Sequence, residues 1–227
     1  MMEGHVWQIV ALSLRVAGIA IVVALPVAFL VAWILARFNF PGKSLAQAIV
    51  TMPLVLPPVV TGYLLLILFG SRGALGAPLH EWLGLSFSFR WTGAALAAGV
   101  MAFPLLVRPI RLSIEGLDRG LEEAARTLGA NRLTAFCTVI LPPLLPGILA
   151  GGVLGFAKAL GEFGATITFV SNIPGETQTL SLAIYSLLQT PTGDAEALRL
   201  IAISAAISIG AVVLSEWLQR KLAGDAK

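Results

Sequence analysis

Two long stretches of the chain carry no charged side chain, and they limit what the chain can fold into. Residues 16–36 contain no Asp, Glu, Lys or Arg over 21 positions, and residues 45–70 contain none over 26. An α-helix needs about 20 mostly apolar residues to cross a bilayer. Hydrophobic residues make up 57% of the chain and charged residues only 12%, whereas soluble domains have about 25% charged residues. The sequence therefore predicts a protein that has lipid as its solvent.

Further apolar segments bring the expected number of spans to about five. They cover residues 91–107, 142–170 and 200–215. Residues 177–190 are too short to cross and predict a short re-entrant or periplasmic helix.

We expect an all-α polytopic membrane protein, because backbone polar groups in lipid must be satisfied within the chain. No long repeat or low-complexity linker divides residues 1–227, so we predict a single transmembrane domain. A sixth span would require residues 1–15 to enter the membrane, and His5 and Arg15 argue against that.

Basic side chains are distributed unequally between the two sides of a five-span model. One side would carry Arg37, Lys43, Arg108, Arg111, Arg119, Arg126, Arg132, Arg220, Lys221 and Lys227. The other side would carry Arg72, Arg90, Arg199 and Arg15. Since Lys and Arg accumulate in cytoplasmic loops, we predict that the N-terminus lies outside and the C-terminus inside. The net charge of +3 is explained by these loops, without nucleic acid as a partner.

The sequence shows no recognisable pairing of a nucleophile with a base and no cluster of metal ligands. Cys137 is the single cysteine and His5 and His80 are the only histidines, so we expect no disulfide, metal centre or catalytic residue. No G-x4-G-K-[ST] loop occurs, so any ATP must be bound by another chain.

A polar block, residues 122–142, interrupts the apolar sequence on the predicted cytoplasmic side. Its apolar residues recur at helical spacing, Gly129 breaks the pattern, and Asn131 can cap a second helix. We expect two short amphipathic helices, with Pro142 and Pro143 ending the second and starting the next span. The block is either a loop that lies on lipid headgroups or a docking element for a soluble partner.

The same block resembles the E-A-A-x3-G-x9-I-x-L-P signature of the permeases of ABC importers. The match departs only at Val139, where the family usually has isoleucine. The resemblance implies a coupling loop at about residues 112–141 that sits in a cleft of a cytoplasmic ATPase. The residues it implies for coupling are Glu122, Glu123, Ala124, Ala125, Gly129, Leu141 and Pro142.

Four other segments resemble the molybdate-type permeases. They are FPGKS at 40–44, MPLVLPPVVTGYLLL at 52–66, GEFGATITFVSNIPGETQT at 161–179 and SEWL at 215–218. The resemblance implies a permease that moves molybdate by alternating access. Tungstate or sulfate/thiosulfate is the alternative cargo, since sulfate permeases share the loop and a similar Gly-Glu-Phe-Gly stretch. A stand-alone channel or scaffold is the alternative class, although it would not explain the loop.

The resemblance also implies the assembly. Two copies of the permease would form a homodimer around a central path in the bacterial inner membrane. Two ATPase subunits would bind ATP and Mg²⁺, and a periplasmic binding protein would deliver the oxyanion.

Two groups of residues are candidates for the translocation path or its gate. Lys158 and Glu162 lie four apart in one predicted span, where unpaired charge is costly. We expect them to pair, either to lock helix packing or to gate the anion. The second group is Pro57, Pro58, Thr61 and Gly62, where prolines interrupt a span. For Gly62, and for Gly151, Gly152 and Gly155, close helix packing is the alternative.

Overall fold

All regular structure in the described part of the chain is helical. The computed structural model describes residues 2–224, except for the side chains of residues 2–4, 119, 122, 215, 219 and 222–224. The α-helices are α1 Met2–Arg37, α2 Lys43–Val55, α3 Pro58–Phe69, α4 Gly76–Leu83, α5 Trp91–Glu115, α6 Arg119–Thr127, α7 Arg132–Ala135, α8 Leu141–Leu160, α9 Gly164–Val170, α10 Leu180–Leu188 and α11 Asp194–Gly224, and a π-helical turn, Phe136–Ile140, joins α7 to α8.

Five apolar spans are present if the bent pair α2 and α3 is counted as one. Four single helical stretches are long and apolar enough to cross a membrane, namely His5–Arg37, Trp91–Glu115, Arg132–Leu160 and Asp194–Leu218. The chain bends by 115° between α2 and α3. Pro57 and Pro58 lie at this bend and have no backbone N–H, so the helix cannot continue through them. The predicted all-α polytopic fold is confirmed.

The first helix is longer than the predicted span of residues 16–36. It begins at Met2 and runs unbroken for 36 residues, which corresponds to about 54 Å. Its N-terminal part belongs to the core, because Val6, Ile9, Val10 and Ser13 are all buried. The Ser13 hydroxyl also accepts a hydrogen bond of 2.7 Å from the Leu180 N–H at the start of α10. Residues 2–15 therefore extend the first span.

The predicted span over residues 142–170 is wrong as a continuous helix. The α8 helix ends at Leu160, and α9 begins only at Gly164. Hydropathy does not register the break, because residues 161–163 include the uncharged Gly161 and Phe163. Gly161 disfavours helix, and the Glu162 side chain caps the next helix instead of lying within a helix.

The predicted helix stop at Pro142 and Pro143 is also wrong. Both prolines lie in the first turn of α8, and helix continues into them from Arg132. They lack N–H groups, so the turn before them loses two helical hydrogen bonds. The chain widens there into the π turn, in which the Leu141 N–H donates to the Phe136 carbonyl.

Helices α5 and α8 approach each other closely along three glycines of α8. We call Gly147, Gly151 and Gly155 the glycine seam. A Cβ on Gly151 would lie 3.0 Å from the Leu106 carbonyl oxygen, and one on Gly155 would lie 2.7 Å from Leu106 Cδ2. Small residues at every fourth position allow such backbone approach between membrane helices. The expected packing role is thus met by Gly151 and Gly155, whereas a Cβ on Gly152 would contact nothing within 4 Å.

Two matched valine variants test the glycine seam. We expect Gly151→Val to destabilise the fold by about 1–3 kcal/mol, because the new side chain would overlap α5 backbone. Gly152→Val carries the same β-branched side chain on the neighbouring position and should unfold close to the parent. Thermal unfolding of the detergent-solubilised protein measures both. Equal melting temperatures for the two variants would contradict the seam.

Candidate coupling loop and buried ion pair

Two local signals determine where α6, the helix that carries the E-A-A motif, begins and ends. The Asp118 carboxylate accepts a 2.9 Å hydrogen bond from the Gly120 N–H and so caps the N-terminus of α6. Past the end of α6, Gly129 adopts φ +89°, a left-handed conformation that favours glycine. The predicted break at Gly129 is confirmed.

The second part of the loop is a single helical turn that leads directly into a span. The Asn131 side chain accepts a 2.8 Å hydrogen bond from the Thr134 N–H, so the predicted cap is confirmed. The expected second amphipathic helix amounts to Arg132–Ala135, followed by the π turn. Helix α6 packs against this π turn, which places the E-A-A motif at the base of α8.

An aromatic cluster anchors the π turn to α1. The Phe136 ring lies 5.8 Å from the Trp33 ring and 6.3 Å from the Phe29 ring, in edge-on geometry. Arg37 extends the cluster, with its guanidinium 5.1 Å from the Trp33 ring. Aromatic pairs of this kind add about 0.5–1.5 kcal/mol beyond their buried area. The loop is therefore attached to the first span as well as to α8.

Sequence reasoning missed this aromatic anchor and the Asp118 cap. It also missed a third contact, between Gln47 of α2 and Arg111 of α5. In the amide orientation that matches donors with acceptors, the Gln47 oxygen accepts hydrogen bonds of 2.7 and 3.0 Å from the Arg111 guanidinium. Arg111 also pairs with Glu115 at 2.7 Å. Asp118 was detectable, since an Asp ahead of a helical pattern is a cap signal. The contacts from Phe136 and Gln47 join distant parts of the chain and leave no local signal.

Most residues assigned to coupling lie on the loop surface. Glu123, Ala124, Gly129 and Pro142 are exposed, Leu141 is half-buried, and Ala125 is buried. Glu122 lies in α6, but its side chain is outside the described part of the structure. Leu128 is 88% exposed, and Leu121 and Leu133 are exposed beside it. The loop therefore combines apolar and charged groups on a face that nothing in the described chain covers.

The predicted pair of Lys158 and Glu162 is present, although the two residues do not share a helix. Lys158 Nζ donates to Glu162 Oε2 at 2.6 Å across the break between α8 and α9. The Ala165 N–H donates to Glu162 Oε1 at 3.0 Å, so the same carboxylate caps α9. The Glu162 side chain is 2% exposed and that of Lys158 is 30% exposed. A buried carboxylate is stable here because it has both a counter-ion and a backbone donor.

The two predicted path groups come together in the structure. A Cβ on Gly62 would lie 2.5 Å from the Ala165 carbonyl oxygen, and one on Gly164 would lie 2.7 Å from Pro58 Cβ. The N-terminal part of α3 thus packs on the turn that Glu162 caps. This geometry fits the packing interpretation of Gly62.

The remaining path candidates differ in their surroundings. Thr61 is buried, and its hydroxyl oxygen makes no hydrogen bond within the described residues. Pro57 is exposed at the bend. A Lys ammonium has three donors, so Lys158 has two besides the one it gives to Glu162.

The ion pair and the loop occupy opposite ends of α8. Lys158 lies seventeen positions after Leu141, which corresponds to about 25 Å along the helix. Within residues 2–224, where side chains are described, no cluster of His, Cys, Asp or Glu could hold a metal ion. The predicted coupling loop and the ion pair are thus joined by helix α8.

Comparisons of the sequence with known proteins identify a family and several relatives. Residues 24–224 match the model of the family described as binding-protein-dependent transport system inner membrane component. The chain is 56% identical over 214 residues to the molybdenum transport system permease protein of Escherichia coli K12, covering 94% of this chain and 93% of that protein. It is 38% identical over 201 residues to the sulfate transport system permease protein of the same organism, covering 86% and 71%.

A solved structure shares the fold. The crystal structure of a bacterial ABC transporter that imports the acidic polysaccharide alginate aligns with a TM-score of 0.72 and 20% identity, over 94% of this chain and 78% of that chain. Because the family model matches residues 24–224 and the Escherichia coli relative is 56% identical, the chain belongs to the family of inner membrane components of binding-protein-dependent transport systems. It is a permease and not an enzyme.

The unequal burial of the ion pair predicts unequal effects of its two partners. We expect Lys158→Met to destabilise the protein by about 3 kcal/mol or more, because it leaves a buried carboxylate without its counter-ion. Glu162→Gln should cost less, about 1 kcal/mol, since the amide oxygen can still cap α9 and the ammonium is partly exposed. Thermal unfolding in detergent would measure both. An equal loss would contradict the expected inequality, and no loss in either variant would show that the carboxylate is hydrated.

The control is a second pair with the same spacing. Arg220 and Glu216 form an exposed i, i+4 ion pair of 3.1 Å on α11. Arg220→Gln should leave the melting temperature unchanged, because exposed pairs contribute little.

Proposed function

We propose that this chain is the permease subunit of an ATP-driven ABC importer whose cargo is molybdate. The observation that carries the proposal is the 56% identity to the molybdenum permease along 94% of the chain. Identity to the sulfate permease is 38% over a smaller share of both chains. Sulfate is therefore the second candidate, and tungstate is a third, because it is also a tetrahedral dianion.

The proposed assembly is a homodimer in the bacterial inner membrane, crossed several times by each copy. Two cytoplasmic ATPase subunits would bind ATP and Mg²⁺, and a periplasmic protein would deliver the oxyanion. The loop on the predicted cytoplasmic side supports the ATPase contact, because its exposed Leu128 and Glu123 offer an apolar and a charged group for docking. Five spans also give one chain little surface with which to enclose a path.

The structure suggests how a push on the loop would reach the spans. Helix α6 rests on the π turn, and the π turn continues into α8. Displacement of α6 would move α8 along with α1, which Phe136 holds through Trp33. Arg111 on α5 and Gln47 on α2 would follow through their hydrogen bonds. Because α8 and α5 are joined along the glycine seam, these helices would move as one body.

The other end of α8 would transmit that motion to the path. Glu162 holds the break between α8 and α9, and α3 packs on α9 beside it. A shift of α8 would change how Pro58 and Gly62 sit against α9, and so open or close the path on one side. The carboxylate is occupied by Lys158 and the Ala165 N–H, so we assign Glu162 to the gate and not to direct anion binding.

The cargo is tested by uptake into vesicles that contain the complete transporter. We expect ATP-dependent molybdate uptake, strong competition by tungstate, and weak competition by sulfate at equal concentration. The reason is that the chain is more similar to the molybdenum permease than to the sulfate permease. Preferred uptake of sulfate would overturn the choice of cargo and leave the permease class intact.

The coupling loop is tested by charge-altering variants. We expect Glu123→Lys and Gly129→Asp to insert normally but to lower ATPase co-purification and uptake about tenfold or more, because an unmatched charge in an interface costs about 1–3 kcal/mol. Gly42→Asp is the matched control, since Gly42 is an exposed glycine with φ +87° outside the loop. Normal uptake by both loop variants would refute the docking role.

A further inference from the structure

A groove between α1, α2 and α5 has almost entirely apolar walls. It encloses about 630 Å³. On α1 it is lined by Ile19, Val23 and Val27, which recur every fourth residue, and on α5 the lining runs from Trp91 to Phe103. The twelve helical steps from Trp91 to Phe103 correspond to about 18 Å, a little more than half of the roughly 30 Å hydrocarbon core of a bilayer. The groove thus has the length of one leaflet.

A polar hollow adjoins the groove at the end where α5 begins. It has a volume of about 400 Å³ and is lined by His5, Gln8, Arg15, Gly175 and Gln178 together with apolar residues of α1. The Arg15 guanidinium lies 3.8 Å from the centre of the Trp91 ring. Since Trp91 lines the groove and Arg15 lines the hollow, this contact joins an apolar and a polar compartment end to end.

Positive charge is concentrated at this junction and is not neutralised by the described residues. Arg15 is exposed apart from its contact with Trp91, and Arg90 is exposed directly before α5. Within residues 2–224, where side chains are described, neither arginine makes an ion pair with a carboxylate. Gln178 contributes a buried side-chain oxygen that makes no hydrogen bond there. The junction therefore offers a ligand two cations and one hydrogen-bond acceptor.

We propose that the groove and the hollow together form a binding site for an anionic phospholipid. One acyl chain lies in the groove between α1 and α5, and the phosphate lies between Arg15 and Arg90. A headgroup hydroxyl donates to the Gln178 oxygen. Lipid matches the length, the apolar walls and the charge at one end, whereas a helix of a second copy would leave the two arginines without partners. Basic groups beside a groove between spans are the chemistry that selects anionic headgroups.

The test is native mass spectrometry of the full-length protein purified in detergent. The protein is titrated with dioleoyl phosphatidylglycerol and with dioleoyl phosphatidylcholine, which share acyl chains and differ in headgroup charge. We expect the first to bind about thirtyfold more tightly, at about fivefold for each cation. Free glycerol 1-phosphate, which has no chain, should not displace the lipid at the same concentration. Equal affinity for the two lipids, or displacement by glycerol phosphate, would overturn the proposal.

Variants separate the contribution of the charge from that of the groove. The double variant Arg15→Gln and Arg90→Gln should lower phosphatidylglycerol binding to the level of phosphatidylcholine. Arg72→Gln is its control, because Arg72 is an exposed arginine outside the site. If the double variant keeps its preference for the anionic lipid, the proposed phosphate site is wrong.

A second set of variants tests the groove by filling it with a large side chain. Val23 and Val22 are neighbours in sequence, 65% and 72% exposed, and only Val23 lines the groove. We expect Val23→Trp to weaken binding of both lipids about tenfold or more and Val22→Trp to bind like the parent, at equal melting temperatures. If Val23→Trp instead lowers the dimer fraction in the same spectra and leaves lipid binding unchanged, the groove is a protein interface and the proposal is overturned.

Discussion

Close contact between the α5 and α8 backbones along the glycine seam is the constraint on which the other features of this permease depend. Between apolar helices in lipid, association relies on packing, because lipid tails are as apolar as the side chains. Gly147, Gly151 and Gly155 remove the Cβ atoms that would hold the two helices apart. The seam makes α5 and α8 one rigid element, and each functional feature is attached to one end or one side of that element.

The two ends of α8 show how the same chain uses irregular backbone in different ways. At the end that carries the loop, Pro142 and Pro143 remove donors and the helix widens into a π turn without stopping. At the other end α8 stops at Leu160, and the Glu162 carboxylate accepts a hydrogen bond from the N-terminus of α9. The first arrangement keeps the helix continuous, whereas the second breaks it. A polar group within an apolar fold is tolerated at the break because Lys158 and the Ala165 N–H satisfy it.

Helix α5 also packs against α1, and the apolar groove lies beside this contact, between α1, α2 and α5. If an anionic lipid fills it, the lipid completes the packing between the first span and the rigid element. Arg15 then has two roles, since it lies on Trp91 and faces the headgroup. The properties of the surrounding membrane would in this way reach the same helices that the proposed coupling loop would move.

The sequence by itself determined the helical membrane class, the break at Gly129, the Asn131 cap, and the pairing of Lys158 with Glu162. Each of these follows from composition or from residues at most four positions apart, where local geometry decides. Only the tertiary structure decided that α8 ends before Glu162, that Gly62 packs on Ala165, and that Phe136 is held by Trp33. Gly62 and Ala165 are separated by about a hundred residues of sequence, as are Phe136 and Trp33, so no local periodicity records their contact. Their positions depend on which helix faces approach each other, and that is set by the packing of the whole bundle.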